Sequence, residues 1–125
     1  MSGARARALT PLAHHVLREG GTEPPFSGAY TAHTAPGTYA CAGCGRAVFG
    51  ARDKFASGCG WPAFARPVAP AAVVLAPDTR HGMERTEVRC GACDGHLGHV
   101  FDDGPAPDGA RYCINSVALS FSGEE

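Results

Sequence analysis

The sequence has almost no net charge, no long apolar run and no repeating composition, and each shortage removes a class of protein. Lys and Arg number 11 against 12 Asp and Glu, a formal net charge of -1. The basic face that a phosphate backbone demands is missing, so nucleic-acid binding is not expected. Nothing approaches the roughly 18 consecutive apolar residues of a membrane span. The most apolar segment, "PVAPAAVVLAP", contains three prolines, and no membrane association is expected. The N-terminal stretch "MSGARARALTPLAHHVLREGG" has two early arginines but lacks the apolar core of roughly 7–15 residues that a secretory signal needs. A reducing, cytoplasmic setting is the expectation. Gly (17) and Pro (10) are plentiful among the 125 residues but follow no period, which excludes a fibrous chain and points to a loop-rich globular one. The length suits a single domain, residues 1–125, with a core over about 9–121 and residues 1–8 flexible.

Local signals give the fold class. Thr10 before Pro11 starts a helix, because a threonine hydroxyl caps an orphan amide and proline tolerates the first helical position. Leu12 and Val16 then share a face, and Gly20 and Gly21 end the helix. His14 and His15 are expected to face solvent. Beyond "TEPPFSGAY", Gly and Pro punctuate short runs rich in Val, Phe, Tyr and Thr: "TYAC", "AVFG", "AVVLA", "ERTEVRC", "LGHVF" and "RYCINSVALSF". The expectation is a mainly β protein of antiparallel strands with a short N-terminal helical arm.

Two segments echo each other. "TYACAGCGRAVF" and "TEVRCGACDGHLGHVF" each set a strand before a Cys-x-x-Cys turn and a Val-Phe strand end after it. Cys41, Cys44, Cys90 and Cys93 thus form C-x2-C-x45-C-x2-C, a donor set suited to tetrahedral zinc. Two disulfides fit a reducing setting poorly, and two redox motifs would each need a βαβ context. A closed four-sulfur shell leaves no open position, so one structural Zn2+ per chain is expected. His96, three residues past Cys93, is an alternative ligand.

Cys59 in "FASGCGWPAF" and Cys113 in "RYCINS" remain. On a strand, Arg111, Cys113 and Asn115 share one face, and Val117, Leu119 and Phe121 continue that register. A nearby arginine stabilises a thiolate, the nucleophilic form, although an inert buried cysteine fits this strand equally well. His96 and His99 in "GHLGHVF" could move protons for a thiol, yet either alone is more often a core or surface residue. Cys59 lies between glycines in a turn where a sulfur can swing, and a second thiol within reach converts a sulfenic acid to a disulfide. Trp61 beside it offers a flat apolar wall, or simple core packing.

Taken together, "GTEPPFSGAY", "CAGCG", "KFASGCGWPAF", "HGMERTEVRCGACDGHLGHVFDDGP" and "RYCINSVALSF" resemble the B-type methionine sulfoxide reductases, which reduce the R epimer of methionine sulfoxide. The resemblance implies two antiparallel β-sheets with a four-cysteine zinc site away from the active centre. It makes Cys113 the nucleophile and Cys59 the resolving thiol, with His96, His99 and Asn115 on the polar side of the site. Trp61 would cradle the substrate methyl group, and Arg111 would lie near the thiolate. Ala63 and Ala56 depart from the serine and aspartate expected there, which touches loop rigidity more than chemistry. The implied reaction is attack by Cys113 with protonation by His99 or His96, a sulfenic acid, a Cys59–Cys113 disulfide and reduction by thioredoxin, without an organic cofactor. The substrate would be protein-bound and the enzyme a monomer. The competing expectation is a zinc-stabilised interaction module of the same fold that needs no reactive thiol. "VVLAPDTRHGMERTE" carries no recognisable chemistry.

Overall fold

The computed structural model describes residues 9–105 and 109–123, so the expected flexibility of residues 1–8 lies outside the described residues. Thr10 Oγ1 accepts the Ala13 N–H at 3.1 Å and starts helix α1, Pro11–Glu19, which Gly20 ends with a left-handed φ of 72°. The buried stripe of α1 is Ala13, Val16 and Leu17, while His14 and His15 are exposed as expected. Leu12 is not part of the stripe; it is 38% exposed, because positions 13, 16 and 17 are the ones that turn toward the sheets.

Among the described residues nine strands follow: β1 (Gly37–Cys41), β2 (Ala47–Gly50), β3 (Lys54–Phe55), β4 (Ala63–Phe64), β5 (Val73–Asp78), β6 (Arg85–Cys90), β7 (His96–Phe101), β8 (Arg111–Ile114) and β9 (Leu119–Gly123). They make two sheets, β2-β1-β9 and β3-β4-β8-β7-β6-β5, antiparallel throughout. The expected mainly β class with one short helix is what the chain adopts. Tyr39, Phe49, Phe64, Leu97 and Ile114 fill the core between the sheets, with Phe49 stacked on Phe64 at 4.5 Å.

"RYCINSVALSF" is not one strand. β8 stops at Ile114, a 3-10 turn covers Ser116–Ala118, and β9 joins the other sheet, so Val117, Leu119 and Phe121 do not continue the face of Cys113. The buried carboxylate of Glu23 makes the corner. Its oxygens accept the Ser116 and Val117 N–H groups, each at 3.0 Å, and its own N–H donates to Asn115 Oδ1 at 2.9 Å. Asn115 completes the lock by donating from Nδ2 to the Leu97 carbonyl at 3.0 Å. Buried amides that leave a sheet need such partners, and a side chain supplies them here.

Candidate active site

The two knuckles share one construction. Each Cys-x-x-Cys turn links two paired strands, β1 to β2 and β6 to β7, and in each the first cysteine's carbonyl accepts an N–H from the residue after the second: Gly45 to Cys41 at 2.8 Å, Asp94 to Cys90 at 2.9 Å. That residue is left-handed in both, with φ 86° at Gly45 and 65° at Asp94. The four sulfurs converge within 4.8 Å of one another, with Cys41–Cys93 at 3.7 Å and Cys44–Cys90 at 3.6 Å. A tetrahedron with metal–sulfur bonds of about 2.3 Å has edges of roughly 3.8 Å, which the Cys41–Cys93 and Cys44–Cys90 separations match. The side-chain hydrogen bond with Cys41 pulls Cys90 down to about 4 while Cys41 is pushed up. Sulfurs this close cannot all be thiolates unless a cation lies among them. Arg18 of α1 reaches Cys93 Sγ at 3.7 Å, docking the helix on the cluster. His96 is not among the clustered donors, so the alternative ligand set is not what the chain forms.

The other two cysteines meet elsewhere. Cys113 lies on β8 between its cross-strand partners His99 of β7 and Ala63 of β4. Cys59 sits in a turn whose flanking glycines are both left-handed, φ 76° at Gly58 and 95° at Gly60, a path closed to most residues. The turn brings Cys59 Sγ to 2.9 Å from Cys113 Sγ. Burial pushes the Cys113 thiol up, as does the neighbouring Cys59 sulfur, while Arg111 opposes both. Burial also raises Cys59, but the hydrogen bonds it receives from Cys113 and from its own turn outweigh it and lower its pKa. The two sulfurs share one hydrogen bond, for which either can be the donor.

Beside the pair is a cavity of about 80 Å³ lined by Cys113, Trp61, His99 and Asn115, with Thr22, Arg85, Gly98 and Phe101 closing it. The Trp61 indole N–H donates to the Glu23 carbonyl at 3.0 Å, which fixes the ring as a wall. Gly98 has no room for a side chain, since a Cβ would lie 2.1 Å from the Cys113 carbonyl oxygen.

His99 and His96 are not equivalent. His99 lines the cavity, and its Nε2 donates to Asp78 Oδ2 at 2.7 Å, leaving Nδ1 as the other exchangeable site. The Asp78 carboxyl is held well below the usual carboxylate range, first by Arg80, which grips both its oxygens at 2.9 Å, and then by His99. His96 is 3% exposed, stands edge-on to His99 with ring centres 5.3 Å apart, and donates from Nδ1 to Glu87 Oε2 at 2.6 Å. Burial pushes its pKa down despite Glu87, and its Nε2 has no hydrogen-bond partner. His96 thus lies behind His99 as a neutral ring. Arg111 likewise stays outside the cavity lining, bound to Asp103 at 2.8 and 3.2 Å with its guanidinium 4.6 Å from the centre of the Phe101 ring.

Asp78, Arg80 and Arg85 all come from the segment in which no chemistry was expected. Their role follows from the pairing of β5 with β6 and β6 with β7, which carries Asp78 across the sheet to His99. A strand ending in aspartate, "VVLAPD", was the only available signal.

A clamp of four cysteines beside a mainly β core, with a separate pair of adjacent thiols at a small cavity, defines a thiol oxidoreductase. The chain belongs to the SelR-domain family, whose model matches residues 9–123. It is 57% identical over 113 residues to the peptide methionine sulfoxide reductase MsrB of Bradyrhizobium diazoefficiens, covering 90% of this chain and 81% of that protein. The protein of the same name from Agrobacterium fabrum is 54% identical, with 90% and 84% covered. Mouse methionine-R-sulfoxide reductase B3, mitochondrial, is 51% identical over 116 residues, 93% of this chain but 46% of that protein. No helix among the described residues is long and apolar enough to cross a membrane.

Proposed function

We propose that this chain reduces the R epimer of protein-bound methionine sulfoxide to methionine. The observation that carries the reading is the contact of Cys113 and Cys59 at 2.9 Å beside a cavity lined by Trp61, His99 and Asn115. The Trp61 ring packs on the substrate methyl group. Cys113 is the nucleophile: its sulfur bonds to the electrophilic sulfoxide sulfur while the oxygen takes a proton from His99 Nδ1. Asp78 holds the His99 ring through Nε2 and fixes its orientation, and a proton donor so placed is worth roughly 10² to 10⁴ in rate. His96, buried and neutral, supports the ring of His99 from behind, and Asn115 fixes the strand end that carries Cys113. The net step is thiol plus sulfoxide to sulfenic acid plus methionine. Cys59 then attacks the Cys113 sulfenic acid, forming the disulfide and releasing water. An external dithiol, thioredoxin, returns both cysteines to thiols by exchange. Arg111, fixed by Asp103, favours negative charge on both sulfurs.

Cys41, Cys44, Cys90 and Cys93 would hold one Zn2+ per chain, a structural ion with no open position for substrate. Residues 9–121 form the core of a single domain, acting as a cytoplasmic monomer. The test is incubation of the zinc-loaded protein with separated R and S epimers of a methionine sulfoxide peptide and dithiothreitol. Methionine should form from the R epimer alone. Reduction of neither by a folded protein would leave a zinc-stabilised interaction module.

A further inference from the structure

Phe26 is anomalous in two independent ways. Its φ is 62°, a left-handed conformation that a bulky side chain disfavours, and the residue is 71% exposed. It is the most exposed large hydrophobic among the described residues. Strain and exposed apolar surface together cost stability, and such costs collect at functional surfaces.

Its neighbours place it beside the cavity. The Phe26 N–H donates to the Gly60 carbonyl at 2.7 Å, and a Cβ on Gly60 would come within 3.3 Å of the Phe26 ring. Gly60 joins Cys59 to Trp61, and the Trp61 indole returns to Glu23 in the same loop as Phe26. Two hydrogen bonds thus stitch the Phe26 loop to the turn that carries one thiol and one cavity wall.

The cavity itself is small. About 80 Å³ is far below the roughly 300–1,000 Å³ of sites that enclose a whole ligand, so it takes the end of one side chain. The polymer bearing that side chain must continue over the outer surface, and the turn that carries Trp61 borders the cavity there. We propose that Phe26 is the docking platform for this polypeptide, packing against an apolar residue that flanks the oxidised methionine. The inference rests on the activity assigned above. Free methionine sulfoxide has charged amino and carboxylate groups there and gains nothing from the ring.

Phe26→Gly tests this cleanly, since glycine removes the ring yet suits the left-handed backbone and keeps the N–H donor. Substrates are free methionine-R-sulfoxide and two five-residue peptides with the R-sulfoxide flanked by Leu or by Gly. For the Leu-flanked peptide KM should rise about 5- to 20-fold, the value of partly covering one aromatic ring, with kcat unchanged. The free amino acid should change less than about twofold, and Phe26→Trp should restore the peptide KM. An unchanged peptide KM, or an equal loss on all three substrates, would overturn the docking role. If the unaltered protein reduced none of the three, the assigned activity would fall instead, and the docking role with it.

Discussion

Four sulfurs are carried by two knuckles of the same build, each closed by its own backbone and each ending a stiff hairpin. The other two meet on unlike supports: Cys113 on a central strand, Cys59 on a turn with two left-handed glycines. Symmetry of support suits a clamp, because equal and rigid arms hold four donors at fixed separations. Asymmetry suits exchange chemistry, in which one sulfur must stay aligned with the substrate while the other approaches and withdraws. The residue type is the same; the freedom of the backbone beneath it differs.

Removing the clamp should have the largest effect. Apparent zinc-binding free energies of about 10–16 kcal/mol exceed the whole stability of an ordinary domain, so Cys90→Ser or thorough chelation should unfold the protein. A thermal melt unchanged after verified metal removal would erase the distinction between the two sets.

Within the reactive pair, the two thiols should fail differently. Cys113→Ser should abolish sulfoxide reduction while the melting temperature stays within a few degrees. Cys59→Ser should still form one methionine per enzyme yet stop thioredoxin-driven turnover. Full cycling without Cys59 would mean that another thiol, or the reductant itself, resolves the sulfenic acid.

A smaller effect is expected from Asp78, which acts through His99. Asp78→Asn should lower kcat about 10- to 100-fold, a fraction of the general-acid factor, and leave KM within about twofold. It should also move the alkaline limb of the kcat profile, the limb that loss of a general acid sets, with Asp78→Glu restoring part of it. An unmoved pH profile with lowered activity would reduce Asp78 to a structural residue.

His96 gives a pH test of stability. Its pKa is depressed by burial, so its neutral form contributes fully above the unfolded value of about 6.5 and loses ground as pH falls below it, where only the unfolded chain takes the proton. Asp78 and Glu87, both depressed in the folded state, act in the same direction at lower pH, below about 4. Melting temperature should drop between pH 7 and 5 more steeply in the unaltered protein than in His96→Asn. Parallel curves would contradict this.

The smallest effect compares the knuckles with each other. Gly45 and Asp94 occupy the same left-handed position, so Asp94→Gly should be neutral or stabilise by up to about 1 kcal/mol in chemical denaturation.

Much of this was legible in the chain itself. The Thr10 cap, the two Cys-x-x-Cys turns and the glycine-flanked Cys59 are local signals, and each appears where expected. What stayed hidden depends on register between distant strands. Asp78 reaches His99 and Glu87 reaches His96 only because β5, β6 and β7 align as they do, and no spacing rule announces it. The break after Ile114 was equally invisible, because "INSVALSF" alternates well enough for a strand. The carboxylate of Glu23, 93 residues upstream of Ser116, decides otherwise by accepting the Ser116 N–H.

That break has a consequence at another scale. Past the corner, Leu119 pairs directly with Cys41, and the Ala118 carbonyl accepts the Ala42 N–H at 2.8 Å, so the segment that begins at Cys113 ends against the first knuckle. Five residues, 114–118, separate the reactive sulfur from the strand position that pairs with the first knuckle. A loosened first knuckle would therefore pull on the strand that holds the reactive sulfur through a tether of only these residues.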